Sequence, residues 1–575
     1  MTGAGQHEPG RRPPLTTDRS LTWGPVLRRG ASAPYRAVAF ASGERHLVRD
    51  DFAAPAPGAG PQAAPVPDAA ARPDPWPGTG RPLLSLVHLT DLQLADVQSP
   101  TRFEFLNRYF ADPRYAEIVP VQRPQEALTA HAVDAMLRTV NEVTCPASGT
   151  APELAITTGD AIDNAQWNEM QIFLALFDGG LVRANSGGPG YAGVQALDWP
   201  DDVFWKPDGP SGDGPDLFRR EFGFPHHPGL LQRALHDFAA GGLRMPWLSC
   251  FGNHEALNQG VGTITPALAS ALVGDRKPLQ LPPGFDHDRA LEFFTEQPEV
   301  FMAGPARAVA ADAHRWPITK RDFVEAHFRP QARPFGHGFT QQNRLDATAY
   351  YVYDTPAVRF IALDTSCAAG GAAGCLDADQ ARWLQARLAE VHSQFHDGNG
   401  REVRTGNDDR LVVLFSHHGV DTLNSSRAGG SSAAAEPVLR AAELLALLHR
   451  FGNVVLWLNG HTHTNAVRAR RHPDDPRRGF WEVTTSAIVD WPCQARLVEI
   501  LDCGSYLSIV CTMVDHDTPA AAQVLATGDD LASLHRELAA NVPLLGADSA
   551  RPGTWTDRNT ELRIPAPFPL SRLPG

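Results

Sequence analysis

Lysine is almost absent: of 51 basic residues only Lys206, Lys277 and Lys320 are lysines, and the rest are arginines. Against them stand 65 acidic residues and a formal net charge of -14, which excludes broad electrostatic attraction to nucleic acid or to an anionic membrane surface. Cysteine is scarce too, seven in 575 residues with no CxxC pair, which excludes a zinc ribbon and a disulfide scaffold. Cys367 and Cys375 bracket an Ala/Gly loop and leave two readings open, a disulfide in an exported protein or two ordinary thiols. No run approaches the roughly 18 consecutive apolar residues of a membrane span. After Arg11-Arg12, Pro13 and Pro14 stand where an export signal would place its apolar core, so the start reads as unprocessed and cytoplasmic. Glycine and proline, 50 and 49 residues, stay below the roughly 25–30% at which low-complexity disorder becomes the default. The arginine skew, with abundant alanine and glycine, points to a GC-rich bacterial genome.

What is present is a hydrophobic fraction of 43%, ample for a large core, in a length that alone allows about four domains. Residues 1–33 read as a flexible arm and 34–50 as a small hairpin around a Ser42-Gly43-Glu44 turn. Prolines and alanines from 53 to 80 read as a stiff linker, so 1–80 is expected to precede the folded part. From 81, apolar runs at 83–89, 154–158, 246–251, 357–363, 411–416 and 454–458 alternate with helical periodicity at 125–143, 377–392 and 437–449. Strand patterns without helices follow at 465–470, 480–485, 496–501 and 506–514. This is an α/β chain in which two mixed sheets pack together between helices, forming one domain over 81–520. Two intervals near 185–242 and 260–346, rich in Gly, Pro, Trp and His, break the rhythm as long insertions. Residues 521–575 read as a C-terminal helix and a tail.

Several strands end in residue types that bind metals: Thr90-Asp91-Leu92-Gln93, Gly159-Asp160-Ala161-Ile162-Asp163, Gly252-Asn253-His254-Glu255, Ser416-His417-His418 and Gly460-His461-Thr462-His463. One Gly-Asp ending is ordinary turn chemistry; five at strand carboxyl ends are different, because ligands bind at that edge of an α/β sheet. Asp160 can bridge two cations, and His461 and His463 can each reach a different one. Imidazole, carboxylate and amide oxygen without thiolate suit Mn, Fe or Zn. Two such ions clamp the attacking and leaving oxygens of an in-line phosphoryl displacement, which points to hydrolysis of a phosphate ester or anhydride.

The ordered set D-x-Q, GDxxD, GNHE, H and GHxH resembles the calcineurin-like metallophosphoesterase superfamily over about 83–514, and Gly374, Leu376, Gln380, Trp383 and Leu384 resemble its G-x-L-x-x-x-Q-x-x-W-L helix start. The resemblance implies a four-layer α/β/β/α sandwich and a dinuclear centre. Asp91, Gln93, Asp160 and His463 would hold one ion, and Asp160, Asn253, His417 and His461 the other. His254 would lie outside both sets and protonate the leaving oxygen. The implied reaction is in-line attack of metal-activated hydroxide on a phosphoester or diphosphate. Where the family usually has histidine this chain has Gln93, whose carbonyl makes the site harder; manganese-dependent ADP-ribose and CDP-alcohol diphosphatases have a similar D-x-Q. Two divalent ions are therefore expected, manganese first, with Fe, Zn and Mg as alternatives. The spacing of the motifs also resembles a bacterial long-insert branch whose members often carry a twin-arginine export signal.

Other residues receive plainer readings. His418 and Asp163 are expected behind the ligands, and Glu255 either holds a neighbouring group or starts a helix. His226, His227, His337, Arg315, Arg329 and Arg344 read as surface residues, and Trp199, Trp205 and Trp247 as core. The expected partner is a phosphate-containing small molecule, with neither nucleic acid nor membrane. The alternative is a catalytically silent metal-binding relative that binds a partner through its insertions.

Overall fold

The computed structural model describes residues 12–53, 80–209, 216–367, 369–425, 438–521, 525–543 and 545–573; the linker expected at 53–80 lies almost wholly outside them. The chain is mixed α/β with two large mixed sheets. The six-stranded sheet runs Tyr351–Asp354, Val358–Ala362, Leu411–Phe415, Val454–Asn459, Gly479–Thr484, Ala466–Arg471, its middle four strands parallel. The seven-stranded sheet runs Leu47–Arg49, Thr560–Pro565, Tyr506–Asp515, Gln494–Asp502, Arg81–Leu89, Leu154–Thr157, Trp247–Leu248, and its last three strands are parallel.

Burial on both faces explains why the central strands are continuous apolar runs. In Leu411–Phe415, Leu411, Val413 and Phe415 join a core that also takes Leu86 and Leu497 from the other sheet. Val412 and Leu414 point the opposite way, against Leu384 and Leu388 of helix Ala378–Ala389 and Leu444 and Leu448 of helix Ala441–Leu448. Helices Thr129–Val140 and Trp167–Asp178 bury Met136, Val140, Phe173 and Leu176 in the first core. Among the described residues no helix is long and apolar enough to cross a membrane.

The chain ends differ from expectation. Within the expected flexible arm, Arg19–Arg29 is a strand, and Pro34–Ser42 pairs with it antiparallel rather than folding back on 46–48. Leu47–Arg49 instead pairs parallel with Thr560–Pro565, a strand inside the expected tail, so the seven-stranded sheet extends beyond 81–520 at both chain ends. The cause is burial: Val38 packs with Trp491, Ala539 and Ala540, and Tyr35 donates a 3.0 Å hydrogen bond to Glu537 in helix Gly528–Asn541. The intervals read as insertions hold short elements with cores of their own; Leu268, Leu281, Phe294 and Phe301 pack on Phe103 and Phe105.

Candidate metal centre

The carboxyl ends of Arg81–Leu89, Leu154–Thr157 and Trp247–Leu248 in one sheet and of Leu411–Phe415 and Val454–Asn459 in the other bring the motif residues together. Asp91, Gln93, Asp160, His461 and His463 all have φ between 42° and 69°, the left-handed region that L-residues enter at a cost of roughly 1–2 kcal/mol each. The motif glycines make room for the carboxylates. A Cβ on Gly252 would lie 2.2 Å from Asp160 Oδ1, and one on Gly460 2.4 Å from Asp91 Oδ2. Gly159 needs its hydrogen side chain twice over, for φ of +90° and for the 2.8 Å approach to the Gly252 backbone.

His417 and His461 meet with Nε2 and Nδ1 3.2 Å apart, and His417 Nε2 is 3.0 Å from Asp160 Oδ2. His417 spends its other nitrogen, Nδ1, on the Thr158 carbonyl at 2.8 Å. At the other corner His463 Nε2 is 3.2 Å from Asp91 Oδ1, while its Nδ1 lies 2.6 Å from Asp490 Oδ2. Gln93 bridges, its terminal amide atom 3.3 Å from His463 Nε2 and 3.2 Å from His254 Nε2. His254 points Nδ1 at the Asp163 carbonyl (2.8 Å) and lies 3.7 Å from Asp160. Asn253 donates to the Gly260 carbonyl. The eight expected residues thus occupy one site, seven of them joined through direct contacts.

Two buried acceptors there, Gln93 Oε1 and Asn253 Oδ1, have no hydrogen-bond partner among the described residues, and Asp91 Oδ1 faces only His463 Nε2; such atoms are costly unless something cationic or protic faces them. Turning the Gln93 amide by half a rotation places Oε1 against His254 and His463, the orientation that suits a cation. Electrostatics point the same way. Burial alone would lower the pKa of His254 and of His417, but Asp160, with Asp163 beside His254, pushes both up to about 9. Burial would raise the Asp160 carboxyl, yet His417 and His254 hold it below the usual carboxylate range. Burial and the neighbouring His417 lower His461 to about 3. Asp91, Asp160 and His417 are grouped closely enough to share one ion, so the donor set fits divalent metal.

His418 sits with His417 and His461 in a second such group, but both its nitrogens are taken, by Thr365 Oγ1 at 3.0 Å and the Ala372 carbonyl at 2.9 Å. It backs the site, as does Asp163, which also pairs with Arg102. Glu255 does not start a helix: its buried carboxylate accepts the backbone N–H of Gly252, Asp160, Ala161 and Ile162, tying two ligand loops together. Glu169 does the same for Asp96, Asp163 and Asn164. Asp490 had no legible signal, being one acidic residue in no motif; it also pairs with Arg123 and with Arg551. Arg315 and His337 are not surface residues. Arg315 is buried on Asp96, and His337 stacks 3.5 Å from Trp247 in the core. Arg344 pairs with Glu325 in a partly exposed contact, Trp199 and Trp205 are buried, and Cys367 and Cys375 are both buried thiols. Comparison of the chain with protein-family models and with curated proteins gave no match.

Proposed function

We propose that the chain is a metal-dependent phosphohydrolase resembling the calcineurin-like metallophosphoesterases, with Asp91, Gln93, Asp160 and His463 holding one divalent ion and Asp160, Asn253, His417 and His461 another. The observation that carries this reading is the pair of buried acceptors without partners, Gln93 Oε1 and Asn253 Oδ1, beside the Asp91 and Asp160 carboxylates and the imidazoles of His417, His461 and His463. The four-layer α/β/β/α arrangement belongs to the same reading, supported by one core shared between the sheets and a second beneath two helices. Bound ions would neutralise phosphoryl oxygens and make hydroxide available near neutral pH. The nitrogen and oxygen donors, with no cysteine among them, favour manganese, with Fe, Zn and Mg as alternatives.

The protein's own residues then position the reaction. Asp490 fixes His463 in one tautomer by accepting from Nδ1. The Asp163 carbonyl does the same for His254, leaving Nε2 to carry a proton, favoured by the Asp160 and Asp163 carboxylates, towards the leaving oxygen. Gln93 touches His463 and His254 at once, so it links the metal corner to the proton donor.

The test is metal content and turnover together. Manganese-reconstituted protein is expected to bind about two ions per chain, and Asp160→Ala to lose both metal and hydrolysis of an aryl phosphomonoester, the matching diester and ADP-ribose. Less than one ion per chain, with metal and rate unchanged in Asp160→Ala, overturns the reading. Full occupancy without turnover on any phosphate ester, unaltered by Gln93→His, supports a silent metal-binding relative instead.

A further inference from the structure

The parallel strands of the six-stranded sheet have a second end, about 17 Å from the first at ~3.3 Å per residue. There, at the amino ends of Val454–Asn459 and Gly479–Thr484, two adjoining cavities of ≈ 520 and ≈ 840 Å³ share His396, His449, Arg450 and Arg478 as common walls. Neither cavity includes a residue of the candidate metal centre.

Among the described residues no carboxylate lies within ion-pair distance of Arg450 or Arg478. Arg450 donates only to the His396 carbonyl (2.9 Å) and Gln385 (3.3 Å). Of the wall carboxylates, Asp397 accepts the N–H groups of Asn399 and Arg401 and Asp409 holds Ser393 and Asn453, while Asp474 lines the larger cavity without an ion pair to either arginine. Glu443 accepts the Arg440 N–H. His449 contacts the Arg470 carbonyl through Nε2, and its ring centroid is 5.3 Å from that of His472, which lines the larger cavity. Burial first, and the nearby Arg478 after it, lower the pKa of both imidazoles, against the pull of Asp474 and Asp475 on His472. Phe395, Phe451 and Phe480 give the smaller cavity an aromatic wall.

We propose that this cleft is a second, non-catalytic anion site that takes a phosphate-bearing small molecule, gripped by the guanidinium groups of Arg450 and Arg478 with the His472 imidazole beside them. Guanidinium forks match phosphate oxygens, the several donors suit a dianion, and the volume admits an organic body against the phenylalanines. The assignment is independent of the metal centre.

The probe is inorganic pyrophosphate titrated calorimetrically into the full-length, metal-free chain. Saturable binding is expected, weakened at least about tenfold in Arg450→Gln/Arg478→Gln and unchanged in Arg183→Ala, whose guanidinium is paired with Asp237 away from both cavities. Arg478→Gln alone is the folding-safe version, because the side chain makes no hydrogen bond or ion pair in the described fold. Circular dichroism establishes that each variant is folded. Absence of binding below about 10 mM, equal binding in Arg478→Gln and the double variant, or loss of binding in Asp160→Ala instead would overturn the proposal.

Discussion

A left-handed backbone at Asp91, Gln93, Asp160, His461 and His463 persists only where the surroundings over-determine it. Glu255 supplies much of that constraint around Asp160, and the small volumes of Gly252 and Gly460 supply the rest. A carboxylate forced against imidazoles in a buried pocket is poor for stability and well suited to a cation. Asp490 is the clearest single test of this economy of placement. It fixes His463 at 2.6 Å and neutralises Arg123 and Arg551, which hold its own carboxyl well below the usual range against the effect of burial. Asp490→Asn keeps an acceptor for His463 but removes the charge. Manganese affinity, titrated into metal-free protein, is expected to fall about 10–100-fold, and the urea midpoint to fall with it. Unchanged affinity would show that His463 needs no partner behind it.

At the scale of elements, legibility followed burial. Strands covered on both faces, such as Leu411–Phe415 and Val454–Asn459, are unbroken apolar runs and were readable to within about a residue. Their ligand-bearing ends were readable for the same reason, since a strand of known end fixes where Asp91, Asp160 and His417 emerge. The run at 246–251 gave only the two-residue strand Trp247–Leu248, because the chain leaves the sheet to deliver Asn253. Helices such as Leu217–Phe222, Pro266–Leu272 and Lys320–Ala326, six or seven residues long, are too short to show a period. The strand Arg19–Arg29 was missed because none of its residues is fully buried; it is its partner Pro34–Ser42 that docks on helix Gly528–Asn541, far along the chain. That docking carries its own pH dependence. Burial raises Glu537 to about 7, with the Tyr35 hydroxyl pulling the other way. Since the folded value exceeds the unfolded one, this contribution is fully present below about pH 4.5 and is lost as pH rises through 7. Glu537→Gln, which still accepts from Tyr35, is expected to unfold later in urea than the parent at pH 8, by up to about 3 kcal/mol, and to match it at about pH 4. A variant weaker than its parent at both values would mean that the charged carboxylate stabilises the contact.

For the whole molecule, a net charge of -14 makes one prediction and the interior another. Self-repulsion of an acidic surface eases as pH falls, which by itself would make the chain more stable in mild acid. The interior opposes this through histidines buried in the neutral state. Burial lowers His88 and His535 to about 3, and His131, His227 and His392 to about 4. His392 shows why: Nδ1 faces the Leu388 carbonyl while Nε2 accepts the Asn453 N–H, an arrangement only the neutral ring can make. An unfolded histidine titrates near 6.5, so below that pH the unfolded chain binds protons that the native one refuses. Each such group then costs about 2 kcal/mol at pH 5. Glu169, raised to about 8 by burial and by Asp163, and Glu537 work in reverse, their stabilisation fading between about pH 4.5 and 8. Five histidines outweigh two carboxylates below pH 6.5; above it Glu169 and Glu537 still change, and so do His254 and His417, raised to about 9 against burial by Asp160, whose stabilisation is lost as pH rises through that value. The urea midpoint of the metal-free protein is therefore expected to peak near pH 6.5, falling towards both pH 5 and pH 8. A midpoint that rises steadily as pH drops from 8 to 5 would mean that surface repulsion, not the buried imidazoles, sets the pH response of this fold.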